Sequence, residues 1–423
     1  MKQLVLSAIL LLVATGVIVG GQVRPQLLGL NADAFFDDTS LHEINLIINS
    51  KDWQALKDSY LLDTYYPADF TWRDKVVRNI GIRSRGNASR SGIKPGLRVD
   101  FDRYTTDQKF LGLKSFILRN NTQDPSNMHE RISMLLFRRL GLPASREAHT
   151  KLFVNNAYAG LYTIVESVDK LFLKRTFNED TGYLFKYEWA GSYYFEDRGS
   201  KPELYVPLPF KPETHEEDPR PEFIVQLVQT INQTGSAVFR TALAEYLDLN
   251  KFIRHVAVEM FLADNDDFLG DFGMANFYFY RFQDTKLFTF VAWDKSNAFT
   301  DSRYSIWRNI TGVPASQQNR LMTAALSYSD LYDLYLDTLM ECVRSASELV
   351  AGSTDVRGWL ERETEREYAQ IREAALSDPE KPFTNNEFEN AVNAVRVFAQ
   401  RRGDFVTGEV SAARGRSFQP ARR

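Results

Sequence analysis

Cysteine is almost absent from this 423-residue chain, which contains only Cys342. A single cysteine excludes an intrachain disulfide, so the fold must depend on buried apolar surface. The composition supplies that surface, because 44% of the residues are hydrophobic and 13% are aromatic. The length is enough for two ordinary domains or one large one.

Histidine is also scarce, and several catalytic motifs are missing. The five histidines show neither zinc-ligand spacing nor an HExxH motif. The sequence contains no GxSxG elbow, no Walker-A loop and no Rossmann glycine fingerprint. Zinc catalysis and the commonest hydrolase, P-loop and dinucleotide-binding functions therefore have no support.

The chain has little excess of charge of either sign. Its formal net charge is −4 and its pI is about 5.9, so it has no general attraction to nucleic acids or anionic membranes. We therefore predict no nucleic-acid partner, and basic residues should matter only locally.

One long apolar run is present, near the N-terminus. It extends from Leu4 to Val19 after Lys2. This run suits the core of a signal peptide and is shorter than the ~20 residues of a membrane span. We predict a signal peptide over residues 1–21 and an exported protein, secreted or at the cell surface. No clear Ala-x-Ala site follows the run, so an uncleaved anchor stays open, and only that alternative predicts a membrane contact.

Two aromatic-rich runs, Asn276 to Phe282 and Leu287 to Trp293, predict an antiparallel hairpin. A turn near Thr285 would put Asn276 opposite Asp294 to within one residue. Acidic loop residues are usually solvated, but Asp294 follows an apolar strand, where an unpaired buried carboxylate would be costly. The loop before the hairpin adds four aspartates, Asp264, Asp266, Asp267 and Asp271. Carboxylates and an amide could thus converge at one end of the hairpin.

A basic loop in the first half is a candidate anion site. A strand from Val76 to Ile82 runs into Arg83-Ser84-Arg85-Gly86. Gly86 allows close backbone approach to an anion, and Arg83 and Arg85 would share one face of the strand. A phosphate site is one interpretation, and a turn that forms surface salt bridges is the commoner one.

Two elements of the first half carry further polar residues. A second predicted hairpin, Lys151 to Val154 and Tyr158 to Val165, delivers Glu166 to its far end. The helix predicted before this hairpin contains Glu130 and Arg131, which we expect to be exposed partners.

The order of elements indicates an α+β fold with a strand-rich N-terminal part and a helix-rich C-terminal part. Residues 190–221, rich in Pro, Glu, Asp and Tyr, are predicted to be either an exposed insertion or the connection between two lobes. Residues 408–423 are predicted to form a basic, disordered tail.

Six motifs in the same order resemble those of the spore-coat protein H (CotH) kinase family. They are Gly81 to Ser89, Lys94-Pro95 with Leu97 to Phe101, Leu140 to Ala144, Val154 to Tyr162 with Glu166, Asn276 to Tyr280, and Trp293-Asp294. The resemblance covers roughly Phe35 to Thr407. It implies a two-lobed atypical protein-kinase-like fold over residues 35–407, with an N-lobe over about 35–190 and a C-lobe over about 222–407.

The resemblance also implies an activity: transfer of the γ-phosphate of ATP, with Mg²⁺ or Mn²⁺, to Ser or Thr of another protein. Asp266, or its neighbour Asp267, is similar to the catalytic aspartate, and Asn276 and Asp294 resemble the metal ligands. The residues implied at the nucleotide phosphates are Arg83, Arg85, Lys94 and Arg98, with Glu166 orienting one of them.

One departure from the family pattern leaves an alternative open. Ser296 stands where family members often have a second aspartate, which weakens the expectation of two tightly held metals. The alternative is a non-catalytic, pseudokinase-like coat, surface or adhesion protein. A carbohydrate-active enzyme could use the same aspartates, but the basic region from Arg83 to Arg98 has no place in glycoside hydrolysis.

Overall fold

The structure is a computed structural model that describes residues 31–235 and 238–419. The segment 1–21, predicted to be a signal peptide, lies outside the described residues. Among the residues that are described, no helix combines the length and apolarity needed to cross a lipid bilayer.

Seven strands in the first part of the described chain close into a barrel, in the order β1-β2-β3-β4-β5-β7-β6. The strands are β1 (His42–Ile48), β2 (Tyr66–Trp72), β3 (Lys75–Ser84), β4 (Leu97–Asp100), β5 (Ser115–Arg119), β6 (Glu147–Val154) and β7 (Ala157–Glu166). Neighbours are antiparallel except β1 and β6, which are parallel. The short helix α1 (Ala32–Phe35) inserts Phe35 among the rings of Phe70, Trp72 and Phe116, so aromatic side chains fill the barrel.

A second, antiparallel sheet has the order β11-β10-β8-β9. Its strands are β8 (Tyr183–Tyr187), β9 (Phe210–Pro212), β10 (Phe277–Arg281) and β11 (Phe288–Ala292). The predicted hairpin is confirmed as β10 and β11. Phe277 pairs with Ala292, so the next step of the register puts Asn276 opposite Trp293, one residue from Asp294.

The helices lie mainly in the second part of the chain, as predicted. The remaining ones are α2 (Ser50–Asp58), α3 (His129–Arg139), α4 (Lys170–Phe177), α5 (Glu222–Gln233), α6 (Phe239–Leu243), α7 (Leu249–Leu262), α8 (Arg320–Leu326), α9 (Ser329–Ala346), α10 (Trp359–Leu376) and α11 (Asn385–Ala413). Helix α7 begins where the Asp248 side chain accepts the N–H groups of Asn250 and Lys251. It packs on α9, which also contacts α11.

Two predicted segments can be compared with the described residues. The stretch 190–221 is anchored to the helical core by Tyr193, Phe195 and Tyr205, which are fully buried, whereas no residue from 211 to 220 is buried, so the predicted insertion stays a prediction. Its role as a connection between lobes stays a prediction. Helix α11 continues to Ala413, six residues into the predicted tail, because Val406 and Val410 extend its buried face.

The barrel and the second sheet meet through a cluster of apolar side chains. Ile117 and Val165, from β5 and β7, pack with Tyr278, Val291 and Trp293, from the hairpin and its end. The end of the hairpin is thereby held beside the end of β5. Polar residues at this junction form the candidate site.

Candidate functional site

Asn276 and Asp294 flank the hairpin at its open end, and both adopt left-handed backbone conformations. Their φ angles are 56° and 48°. Asn and Asp tolerate this region better than other non-glycine residues, but such conformations still cost about 1–3 kcal/mol and persist only where the surroundings impose them. Two such residues at one end of a ribbon mark a constrained site.

The Asp294 carboxylate is paired with Arg119 at the end of β5. Arg119 Nη1 lies 2.6 Å from Asp294 Oδ1, and Ser296 Oγ donates to the same oxygen over 2.9 Å. Burial opposes ionisation of Asp294, but the charge and hydrogen bond of Arg119 outweigh it and hold the pKa at about 2. Asp294 is therefore an anion at neutral pH, and Ser296 orients it.

Arg119 also contacts Glu130 on α3, with Nη2 3.2 Å from Oε1. Burial raises the pKa of Glu130 to about 7, against the opposing charge of Arg119. The expectation that Glu130 and Arg131 are exposed is wrong. Both are buried, because the barrel, the chain after β11 and α10 surround this helix, and Arg131 pairs with Glu363 of α10.

Asp266 lies beside Asn276 on the loop before the hairpin. Asn276 Nδ2 donates to the backbone oxygen of Asp266 over 2.6 Å and to its Oδ2 over 3.0 Å, and Asn297 Nδ2 lies 3.2 Å from the same carboxylate oxygen. Burial raises the pKa of Asp266, and the nearby charge of Asp294 adds to the effect. Asp266 stays partly exposed, so its carboxylate is accessible.

Asp267, the next residue of the loop, occupies a different environment in the protein interior. It is fully buried, and its Oδ1 accepts the N–H of Leu269 over 2.8 Å. Burial raises its pKa well above the ordinary value, with a further contribution from the charge of Glu259. The charge of Lys295 opposes this effect; Lys295 is also fully buried, and its Nζ lies 2.7 Å from Glu259 Oε1. Asp267 therefore belongs to an internal charge cluster.

The three arginines predicted to bind phosphate lie together on the outer face of the barrel. Arg83 on β3 pairs in register with Arg98 on β4, and Asp63 neutralises Arg83 over 2.9 Å. The Arg85 guanidinium lies over the Trp293 ring at 5.7 Å and forms no hydrogen bond or ion pair within the described residues. Burial lowers its pKa to about 10, and the charge of Arg119 adds to this effect. Arg85 is thus a cation free to bind an anion beside Asp294.

Two predicted site residues are not part of this group. Lys94 is buried, with Nζ 2.7 Å from Asp378 Oδ2 and 2.8 Å from the backbone oxygen of Leu161, so it does not face the arginines. Glu166 pairs with Arg146 and Arg175 instead of the predicted cations. The partner of Lys94 lies 284 positions away, whereas the partners of Glu166 lie only 20 and 9 positions away.

Three oxygens of the group remain without a protein donor within the described residues: Asp294 Oδ2, Asp266 Oδ1 and Asn276 Oδ1. No set of three or more His, Cys, Asp or Glu side chains that could share a metal occurs in the described part of the chain. Magnesium prefers oxygen ligands and keeps several waters, so two carboxylates and an amide fit Mg²⁺ or Mn²⁺ better than zinc.

Sequence inspection did not select Arg119 and Lys295 as site residues, and it expected Glu130 to be exposed. Arg119 is the last residue of an apolar strand, and Asp294 lies two residues after the end of another. This shared position was the sequence signal that could have identified Arg119 as a site residue. Lys295 directly follows Asp294, but nothing local indicates that it is buried.

Comparisons with known proteins identify a family and a relative of this chain. Residues 82–406 match the sequence model of the family described as CotH kinase protein. The chain is also similar to the inner spore coat protein H of Bacillus subtilis (strain 168), with 22% identity over 378 residues. That match covers 89% of this chain and 99% of the relative. The family match includes all of the site residues predicted from the sequence.

Proposed function

Because the chain belongs to the CotH kinase family, we propose that it is an exported atypical Ser/Thr protein kinase that transfers the γ-phosphate of ATP to a secreted or surface protein. One observation carries the proposal: Arg119 contacts both Glu130 on a helix and Asp294 after a hairpin. Protein kinases use a strand cation paired with a helix carboxylate, and an aspartate after a hairpin, to position the phosphates and the metal.

In this proposal the two parts of the chain are the lobes of a kinase-like fold. Residues 35–190 form the N-lobe, 190–221 connect the lobes and 222–407 form the C-lobe. Strand β8 pairs with β10, so the second sheet takes strands from both sides of the boundary at 190. The junction that holds Arg119 against Asp294 would be the floor of the nucleotide cleft.

Each residue of the site then has a specific task. Asn276 and Asp294 hold Mg²⁺ or Mn²⁺, which when bound neutralises charge on the phosphate oxygens. Arg85 and Arg98 supply positive charge from the barrel side. Asp266 accepts the proton of the acceptor hydroxyl, because its carboxylate is accessible and hydrogen-bonded to Asn276.

The location and substrate class follow from the relative as part of the proposal. The name of the relative places that protein in an inner spore coat, and we propose a coat or cell-surface location for this chain, with residues 1–21 as the signal. The substrate would be a protein of the same layer that carries Ser or Thr acceptors.

The alternative is a non-catalytic coat or surface protein with the same fold. It is favoured by Ser296, which stands where family members often have a second metal-binding aspartate. Such a protein would bind nucleotide without transferring phosphate.

A labelled-phosphate assay separates the two functions. The full-length chain is incubated with γ-labelled ATP, Mg²⁺ and a Ser-rich acceptor protein, beside Asp294→Asn and the control Asp284→Asn, which changes an aspartate at the opposite end of the same hairpin. Transfer by the parent and the control but not by Asp294→Asn supports the kinase. Nucleotide-dependent thermal stabilisation with no transfer supports the binding protein.

A further inference from the structure

A cavity of about 690 Å³ lies beside β11, away from the candidate site. Its walls come from the chain after α3, from the end of α4 and from the first turns of α7. None of the residues predicted for catalysis, metal or nucleotide is among the described residues that line it. A volume of this size is typical of pockets that enclose one small molecule.

The cavity wall is strongly basic. Lys251 and Arg138 line it, and neither forms an ion pair within the described residues, although Arg138 Nη1 donates to the backbone oxygen of Ser145. Arg254 and Arg175 add two more cations, which pair with Glu341 and Glu166. The acidic residue of the lining, Asp248, is already used at the N-terminus of α7. The Lys251 ammonium therefore forms no ion pair within the described residues, whereas Arg138 lies in the field of the buried Glu147.

Two buried polar atoms of the lining residues have no hydrogen-bond partner. They are Thr176 Oγ1 and His255 Nδ1. His255 is almost fully buried, and its other ring nitrogen, Nε2, lies 3.2 Å from Glu259 Oε1. Buried polar groups are nearly always satisfied in folded proteins, so two orphans around one cavity indicate a missing polar partner.

The remainder of the wall is apolar. Leu142, Phe252 and Phe288 contribute aliphatic and aromatic surface. A peptide strand could not add along the whole of β11, because the N–H of Phe288 donates to the oxygen of Tyr246 and that of Ala292 to the oxygen of Pro143. These two bonds cover both ends of the strand, so the cavity suits a compact ligand.

We propose that this cavity is a second binding site, for a small organic anion with an apolar body and a carboxylate, sulfonate or phosphate group. Lys251 and Arg138 bind the charged group, and the aromatic wall holds the apolar body. Thr176 Oγ1 and His255 Nδ1, which have no hydrogen-bond partner within the described residues, are available to hydrogen-bond to the ligand. The site does not depend on whether the chain transfers phosphate.

Fluorescence titration of the full-length chain tests the site with a defined probe, 8-anilino-1-naphthalenesulfonate. The neutral analogue N-phenyl-1-naphthylamine has the same apolar body without the charge. The key variant is Lys251→Met, and its matched control is Lys51→Met, an exposed lysine in the first turn of α2. Thr176→Phe fills the cavity, and thermal unfolding monitored by circular dichroism verifies that each variant is folded.

We expect one saturable sulfonate site per chain, with a dissociation constant raised about tenfold by Lys251→Met and unchanged by Lys51→Met. The neutral probe should bind more weakly and be insensitive to Lys251→Met, and folded Thr176→Phe should bind neither probe. Absence of saturable binding would overturn the proposal. Equal affinity of the two lysine variants, or undiminished binding by Thr176→Phe, would overturn it as well.

Discussion

Arg119 and Asp294 join the two parts of the molecule, with Nη1 of the arginine 2.6 Å from Oδ1 of the aspartate. Arg119 ends a barrel strand, and Asp294 follows the hairpin of the second sheet. The same guanidinium reaches Glu130 on α3. One cation thus fixes three elements relative to each other at the candidate site.

Replacement of Arg119 by methionine should weaken both the fold and phosphotransfer. It leaves Asp294 and Glu130 without their cation, and breaking a buried pair in this way costs about 3–5 kcal/mol. Urea unfolding measures the free energy, and the labelled-phosphate assay measures transfer. Arg119→Lys should recover only part of both, because one ammonium replaces two guanidinium nitrogens that point in different directions.

The matched control is Arg85→Met, since Arg85 forms no ion pair within the described chain. Its unfolding free energy should stay within about 0.5 kcal/mol of the parent, with weaker ATP binding. If Arg119→Met were as stable as Arg85→Met, the bridging role of Arg119 would be wrong.

Substitution of the two neighbouring aspartates should have opposite results. Asp266→Asn removes the proposed base and should lower the rate of transfer roughly 10²–10⁴-fold with little change in stability. Asp267→Asn should be nearly silent in the assay, because burial already raises the pKa of Asp267 and an amide closely matches a protonated carboxyl. A large loss of rate in Asp267→Asn, with full activity in Asp266→Asn, would reverse the assignment.

Lys94 should matter for stability and not for nucleotide binding. Lys94→Met leaves Asp378 buried without its cation, and we expect a loss of about 3 kcal/mol in urea unfolding. The dissociation constant for ATP, measured by calorimetry on the folded variant, should be unchanged. A selective loss of ATP affinity would instead restore the phosphate-binding role predicted from the sequence.

Stability should depend on pH through Glu130, whose pKa is raised by burial from 4.5 to about 7. The folded chain holds this proton more tightly than the unfolded chain, so the contribution of the group falls as the pH rises from 4.5 to about 7. The glutamine of Glu130→Gln cannot ionise, so this variant should lose the part of the pH dependence due to Glu130, roughly 3 kcal/mol between the two pH values. Urea unfolding at both ends of the window measures the slope.

Two further variants identify the source of that slope. Glu43→Gln, at an exposed carboxylate, should keep the slope of the parent. Glu147 is fully buried and also has a raised pKa, caused by burial and by the charge of Glu130. The double variant Glu130→Gln/Glu147→Gln should therefore remove what remains. An unaltered slope in the double variant would assign the pH dependence to other groups.

The sequence predicted the local parts of the site well. The hairpin and the near-opposition of Asn276 and Asp294 follow from aromatic strands around a short polar turn, so neighbouring residues determine them. The family prediction is confirmed by the match over residues 82–406. The strand-rich first part and helical second part are confirmed as well.

The parts that could not be predicted depend on distant partners. Arg119 meets Asp294 across 175 positions, and Lys94 meets Asp378 across 284. From the sequence, Glu130 is expected on the exposed face of an amphipathic helix. It is buried because other elements of the fold pack against both sides of α3. Periodicity reports which face of an element is apolar, but it does not report which charged residues find a partner inside the fold.

Closure of the barrel has a consequence for how the chain folds. Strand β1 pairs with β6, and His42 lies beside Thr150, roughly 100 positions away, so this contact forms only after a long loop has closed. The pairings of β2 with β3 and of β6 with β7 are local and should form first. The slow step of barrel folding is therefore expected to be the docking of β1 on β6.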